Sequence, residues 1–306
     1  MKSYNQNIKR HLSVVITMYP KYEIVSYALN AVSKQSYRNF ELIMVNDGMN
    51  YPKEEIEKYV LKFAPLDIPI KFVHHDKNRS SIQARFTGAR CAVGEYILFL
   101  DSDDSLTEHV FRNGMARAAM YEVDIINFQF SFTSTYIPLK FLEGDDVLKT
   151  YLTRFFDGTH MICNNFFKRD MVLRAIKLSG MTKDDYMNMG EDAMLGFMFY
   201  GLAKTFLKDD SIGKYIYVRN NPNSLCYGIR HGQTFDNEED AADYQMYLRH
   251  VQLCQDLGLR YAILQNFNPE LIYDIMVALH KRKMFLWYFW NKFNPNSLQK
   301  AWNQNK

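Results

Sequence analysis

A chain of 306 residues has room for one large α/β domain and an appendage. Its 47% hydrophobic content supports a substantial core and excludes general disorder, while a net charge of +3 is too small to make nucleic acid the main partner. The four cysteines, Cys91, Cys163, Cys226 and Cys254, form no Cys-x-x-Cys pair, which reads as free thiols in a reducing compartment.

Met1 to Arg10 is polar and lacks the apolar core of a signal peptide. No run approaches the ~18 apolar residues that a membrane span needs. The expected location is the cytoplasm, with peripheral contact at the inner face of the cell membrane as a further option.

Leu12 to Thr17 is a β-branched run and reads as a buried strand. Ile24, Val25, Ala28, Leu29 and Val32 recur at helical spacing. Phe40 to Val45 is a second strand, ending at Asn46-Asp47-Gly48. Pro52 is placed to open a helix that turns Ile56, Tyr59, Val60 and Phe63 inward. Ile70 to Val73 is a third strand, and Ile82, Phe86 and Ala89 mark the next helix. This alternation implies a mostly parallel sheet flanked by helices, with right-handed crossovers.

The fourth strand, Tyr96 to Leu100, stops abruptly at Asp101-Ser102-Asp103-Asp104. In open α/β sheets, ligands bind beyond the carboxyl ends of the strands. Asp101 and Asp103 are two apart, so in an extended segment both side chains face one way. Two hard oxygen ligands suit Mg²⁺ or Mn²⁺, especially beside a diphosphate. The plain alternative is a capping box, Ser105-Leu106-Thr107-Glu108, with an acid merely opening a helix. Capping leaves the other acids crowded, and a cation relieves that repulsion. Thr17 and Tyr19 follow the first strand and Asp47 the second, so candidate ligand residues gather on one edge. Asp47-Gly48 is also an ordinary turn pair.

These ordered motifs resemble family 2 glycosyltransferases of the GT-A fold over the first ~220 residues. Ser13 to Tyr19, Phe40 to Gly48, Asn78 to Ala89 and Gly94 to Asp104 carry the resemblance, the last as an Asp-x-Asp segment. It implies an inverting, non-processive enzyme of bacterial glycan (polysaccharide) biosynthesis that uses a nucleotide sugar. Thr17, Tyr19 and Asp47 would hold the base, most often uracil in this family. Arg85 would support the nucleotide side. Asp101, with Ser102 beside it, would face the ribose, and Asp103 would bind Mn²⁺ or Mg²⁺ at the diphosphate. Asn46, Met49 and Phe86 depart from the family pattern, and Phe86 falls on its helix's apolar face, where packing explains it.

Further on, Val123 to Phe130 reads as one strand and Ser131 to Tyr136 as a loop. Asp145 to Phe156 has helical spacing, and Asn165 to Asp170 resembles the strand before the acceptor-side helix. Lys168 and Arg169 read as a solvated basic pair. Glu191 and Asp192 precede the apolar series Met194, Leu195, Phe197 and Met198, which places acids at a helix N-terminus, where the dipole favours them. The resemblance makes Asp192 the general base, with Glu191 as its neighbour. His74-His75 ends a strand without metal-ligand spacing and reads as strand-end polarity. Arg219 to Ser224 resembles the family's closing segment, where a mobile loop covers the donor, and that loop would include Tyr227 to His231.

The expected division is a catalytic domain over 1–230 and a helical appendage over 231–306. The appendage combines Lys281-Arg282-Lys283 with the apolar run Met284 to Trp290. Seven apolar residues do not span a bilayer, so this stripe suits packing on the domain, a homodimer or a peripheral membrane surface. The expected acceptor is a hydroxyl of a glycan, lipid-linked or protein-linked chain. Two rivals are a sugar nucleotidyltransferase, disfavoured because no glycine follows the first strand to cradle a triphosphate, and a non-catalytic nucleotide-sugar-binding module.

Overall fold

A computed structural model of the chain describes residues 11–65, 67–133, 136–153, 161–179, 181–186 and 191–218. The expected donor-covering loop and the C-terminal appendage lie outside the described residues.

The first half follows the expected alternation. Strands β1 (Leu12–Met18), β2 (Phe40–Asn46), β3 (Ile70–His74) and β4 (Tyr96–Asp101) are joined through helices α1 (Ser26–Ser33), α2 (Lys53–Phe63) and α3 (Ser81–Cys91). A 3-10 turn at Tyr22–Val25 precedes α1. After β4 come β5 (Ser105–Leu106), α4 (Val110–Tyr121), β6 (Ile125–Asn127), β7 (Gln129–Phe130), β8 (Lys140–Glu143) and α5 (Asp145–Thr153). The remaining described elements are β9 (Asn165–Lys168), α6 (Arg169–Ser179), α7 (Glu191–Leu202), β10 (Thr205–Lys208), a 3-10 turn at Asp210–Ile212 and β11 (Lys214–Ile216).

The strands form one eight-stranded sheet, in the order β3-β2-β1-β4-β9-β6-β10-β8, and a small sheet, β5-β11-β7. β3, β2, β1 and β4 run parallel, whereas β9 lies antiparallel between β4 and β6. Helices cover both faces, which is why β1, β2 and β4 read as mainly apolar runs. On one face Val14, Ile16, Leu42, Met44, Leu98 and Leu100 pack with Leu29 of α1, Val60 of α2 and Phe111 of α4. On the other, Val15, Ile43, Val45, Ile97 and Phe99 pack with Phe86 of α3, Tyr151 of α5, Val172 of α6 and Phe199 of α7. Phe86 therefore is a core residue, as its helical position predicts.

α3 sits unusually close to the sheet. A Cβ on Gly88 would lie 2.3 Å from Val15 Cγ1, so only hydrogen fits there. At the amino-terminal edge of the sheet, Glu41 Oε1 accepts from Ser13 Oγ (2.6 Å) and Val93 N (2.8 Å), and Ser13 Oγ accepts from Gly94 N (2.8 Å). This buried cluster fixes the register of β1, β2 and the entry to β4.

Three local expectations are corrected. Val123 to Phe130 is not one strand: it breaks at Phe128, whose N–H donates to Asn164 O, and β6 and β7 join different sheets. The capping box is absent, because Ser105 and Leu106 pair with β11 and α4 begins only at Val110. Asp101 and Asp103 do not lie in one extended segment, since β4 ends at Asp101 and Asp104 N donates back to Asp101 O (3.2 Å), closing a turn.

Candidate active site

The carboxyl ends of β2, β1 and β4 stand side by side. Thr17 is paired in register with Val45 on one side and Asp101 on the other. Asp47 follows directly, its N–H donating to Met18 O (3.1 Å). Asp47 and Asp101 therefore flank β1, roughly 10 Å apart as two strand spacings require. Tyr19 lies just past β1 and is half exposed, before a cis Tyr19-Pro20 bond; Ser102 is buried in the turn.

α7 brings a second set of acids to the same edge. Arg85 of α3 is the pivot, its side chain only 6% exposed. Its guanidinium donates to Asp101 Oδ1 (2.8 Å) and Glu191 Oε1 (2.7 Å), and lies 3.1 Å from Asp192 Oδ1. Burial works against the guanidinium's charge, but Asp192, Asp101 and Glu191 outweigh it and hold it firmly protonated. Arg85 therefore links the end of β4 to the start of α7, rather than serving one side alone.

Asp192 is also strongly perturbed. Burial pushes its carboxyl up to about 8; Arg85 pulls it down, and Glu191 and Asp101 push it up again. Its Oδ1 is buried without a hydrogen bond among the described residues, although Arg85 is near. A buried carboxyl shifted in this way by desolvation and specific charged neighbours marks a candidate functional group.

Asp47 is held by an unexpected partner. His75 Nδ1 lies 2.7 Å from Asp47 Oδ1, which also accepts from Arg79 N (2.9 Å). An ionised carboxylate only accepts, so Nδ1 carries the proton. His75 Nε2 faces Thr87 Oγ1 of α3 at 2.9 Å. The adjacent His74 meets Asn46 Nδ2 (3.1 Å) and Glu57 Oε1 (2.9 Å). The two histidines are thus anchors for the Asp47 turn, more than strand-end polarity. Asn46 in turn accepts from the backbone N–H of Met49 (2.9 Å), which closes the turn.

Sequence reasoning missed three residues here. Asp104 is 1% exposed and is bonded to Tyr215, which is fully buried on β11. Burial pushes Asp104 up to about 8, with Asp101 and Asp103 adding to the rise. Cys163 lies beneath the acids, and its thiol is pushed well above the usual range by burial first and by Asp101, Asp192 and Asp104 after it. Cys91 and Cys163 are both unpaired; Cys226 and Cys254 lie outside the described residues. Tyr215 carries no local signal, being separated from its partner by more than a hundred residues. Lys168 and Arg169, by contrast, lie at the far edge, where Lys168 pairs with Tyr96 at the start of β4.

The sequence profile of the family described as Glycosyl transferase family 2 matches residues 13–174, more than half of the chain. The chain belongs to glycosyl transferase family 2. The matched region runs from β1 into α6 and carries the strand-tip acids and Arg85. Among relatives, the uncharacterized glycosyltransferase EpsJ of Bacillus subtilis is 28% identical over 225 residues, 70% of this chain and 62% of EpsJ. The uncharacterized glycosyltransferase YibD of Escherichia coli is 25% identical over 293 residues, 90% of this chain and 80% of YibD. The match to glycosyltransferase GlyA of Streptococcus pneumoniae covers only 31% of that protein. The chain thus spans less than two thirds of EpsJ and about a third of GlyA.

Solved structures share the fold. S. aureus TarS 1-349 in complex with UDP-GlcNAc superposes with a TM-score of 0.54 at 16% identity, covering 93% of this chain and 76% of that one. The mannosyltransferase PcManGT of Pyrobaculum calidifontis, in complex with GDP-Man and Mn²⁺, gives 0.52 at 14% identity, covering 91% and 88%. The family 2 chain described here is therefore a GT-A fold. No helix among its described residues is long and apolar enough to cross a membrane.

Proposed function

We propose that this family 2 chain is an inverting glycosyltransferase that moves a sugar from a nucleotide diphosphate, UDP above all, to an acceptor hydroxyl. The observation that carries the reading is Arg85, which joins Asp101 at the tip of a parallel strand to Glu191 and Asp192 at a helix start. Two sets of acids on one edge supply the two halves of a displacement: one to receive an activated donor, one to receive a proton.

The residue assignments extend that reading. Thr17, Tyr19 and Asp47 line the place for the base, and Asp101 with Ser102 the place for the ribose. Arg85 keeps Asp101 turned toward it. Asp192 takes the acceptor's proton as the hydroxyl oxygen attacks the anomeric carbon from the face opposite the leaving diphosphate. Glu191 keeps Arg85 engaged and raises the proton affinity of Asp192. Neither Asp101 nor Asp192 need move far, because one guanidinium orients both.

A divalent metal fits the chemistry of the turn. No group of three potential ligands among the described residues is arranged to hold an ion alone. Yet the turn offers carboxylate oxygens, and its acids, with those of α7, outnumber Arg85. Mn²⁺ or Mg²⁺ bound through one or two carboxylates, with substrate phosphates completing the shell, suits such a set. Asp103 would hold it. When bound, the metal supplies charge neutralisation for the leaving diphosphate.

The acceptor reading is a hydroxyl of a glycan, lipid-linked or protein-linked chain, with one sugar, or a few, added. The test is incubation with a panel of UDP- and GDP-sugars plus Mn²⁺, following released nucleotide. Turnover of one donor, lost in Asp192→Asn, is the expected result. Binding without turnover of any donor by the intact chain overturns the enzymatic reading in favour of a binding module.

A further inference from the structure

We propose that Tyr215 is the positioning residue of the acidic turn and that Asp104 is its strut, not a ligand; this rests on the reading of Asp103 as the metal-holding residue. Residues 101–104 close on themselves through Asp104 N and Asp101 O, leaving Ser102 and Asp103 at the two central places of a β-turn. One hydroxyl spans the mouth of that turn. Tyr215 Oη accepts from Asp101 N at 3.3 Å and donates to Asp104 Oδ2 at 2.7 Å. The other carboxylate oxygen, Asp104 Oδ1, accepts from Val218 N at 2.9 Å.

Both oxygens of Asp104 are therefore taken up by partners inside the protein. A carboxylate held this way reaches a metal only by breaking two buried hydrogen bonds, and buried polar groups left unmatched are strongly disfavoured. The motif offers three acids in sequence, but Asp104 serves as scaffold.

The hydroxyl is itself fixed. Tyr215 pairs with Leu106 of β5 and with Phe130 of β7. Its ring stacks on Phe130 at 5.6 Å with an interplanar angle of 13°. β5 begins directly after the turn, so the small sheet grips the acidic turn from behind, through backbone at one end and through a phenol at the other. Where Asp103 stands is thus set by groups that never touch a ligand. A hard cation tolerates little variation in oxygen distance, so loosening the turn should weaken metal binding before it weakens nucleotide binding.

The experiment removes one oxygen. Tyr215→Phe keeps the ring and its stack. Mn²⁺ binding to the full chain is read by electron paramagnetic resonance of free Mn²⁺ in the presence of UDP, and UDP binding separately in EDTA. The expected result is about tenfold weaker Mn²⁺ binding, the size of one lost buried hydrogen bond, with metal-free UDP affinity unchanged. Phe130→Leu loosens the same sheet but keeps the hydroxyl, and should weaken Mn²⁺ binding clearly less than Tyr215→Phe does. Asp104→Asn, which retains an acceptor, should fall between the parent and Asp104→Ala. Parental Mn²⁺ affinity in Tyr215→Phe overturns the inference, as does equal weakening in Phe130→Leu, which would mark the tyrosine as merely structural. If the parent itself binds no Mn²⁺ with UDP, the metal reading fails and takes this inference with it; parental binding with an unaffected Tyr215→Phe sinks the inference alone.

Discussion

Replacing Arg85 by Met is the most informative perturbation of this molecule. Methionine fills much of the same space and carries no charge. Arg85 is 6% exposed, and its acid partners Asp101, Glu191 and Asp192 are 27%, 13% and 17% exposed in their side chains. Removing one partner of a buried ion pair costs about 3–5 kcal/mol, because the other charge stays behind uncompensated. Here the acids have an escape, since a buried carboxyl can take up a proton. Asp192 already binds its proton up to about pH 8. A folded-state value raised in this way contributes stability that is full below the ordinary carboxylate range and is lost as pH rises through about 8. Arg85 lowers the Asp192 value, so its removal lifts that value further and steepens the decline. Urea unfolding at pH 6 and pH 8.5 should therefore show a loss of about 3–5 kcal/mol at the higher pH and a clearly smaller one at the lower. Equal losses at both, or a larger loss at pH 6, would refute the account of a guanidinium stabilising ionised acids.

Other outcomes follow from the same geometry. The free-enzyme profile of kcat/KM should rise with pH through a midpoint near 8, because Asp192 accepts a proton only when ionised, and Glu191→Gln should move that midpoint down by removing a neighbouring negative charge; a midpoint that stays put in Glu191→Gln counts against Asp192. Asp103→Ala should reduce metal-dependent nucleotide release by about 10²-fold or more, and full release would remove Asp103 from the site. His75→Leu strips Asp47 of its buried donor and should weaken UDP binding about tenfold by calorimetry; an unchanged Kd would separate Asp47 from the base. Gly88→Ala forces a methyl against Val15 and should destabilise by about 1–3 kcal/mol in thermal unfolding; an unchanged Tm would show that α3 shifts freely.

The parallel half of the fold is legible in the sequence because three of its four strands, β1, β2 and β4, are buried on both faces. Leu12–Met18, Phe40–Asn46 and Tyr96–Asp101 are apolar runs bounded by turn residues, and their tips fall where strand order predicts. The second half is less legible because its strands are short. Ile125–Asn127 and Gln129–Phe130 look like one run, and only contacts distant in sequence, such as Phe128 with Asn164, split them. Within the site, acids at strand ends and helix starts announce themselves by spacing. Their supports do not. His75, Arg85's double engagement, and the Asp104–Tyr215 pair depend on which segments meet, and hydrogen bonds across such separations leave no local pattern.

β9 pairs with β4 only as far as Leu98, and at the end of that strand Asp101 N meets the Tyr215 hydroxyl instead of a paired strand. Beyond Asp101 that side is bordered by the turn at 102–104 and, through Arg85, by the start of α7 instead of a paired strand. Connecting segments tolerate insertion and exchange far better than a hydrogen-bonded ladder does. Changes on that side are therefore tolerated while the paired tips of β1 and β2 keep their register.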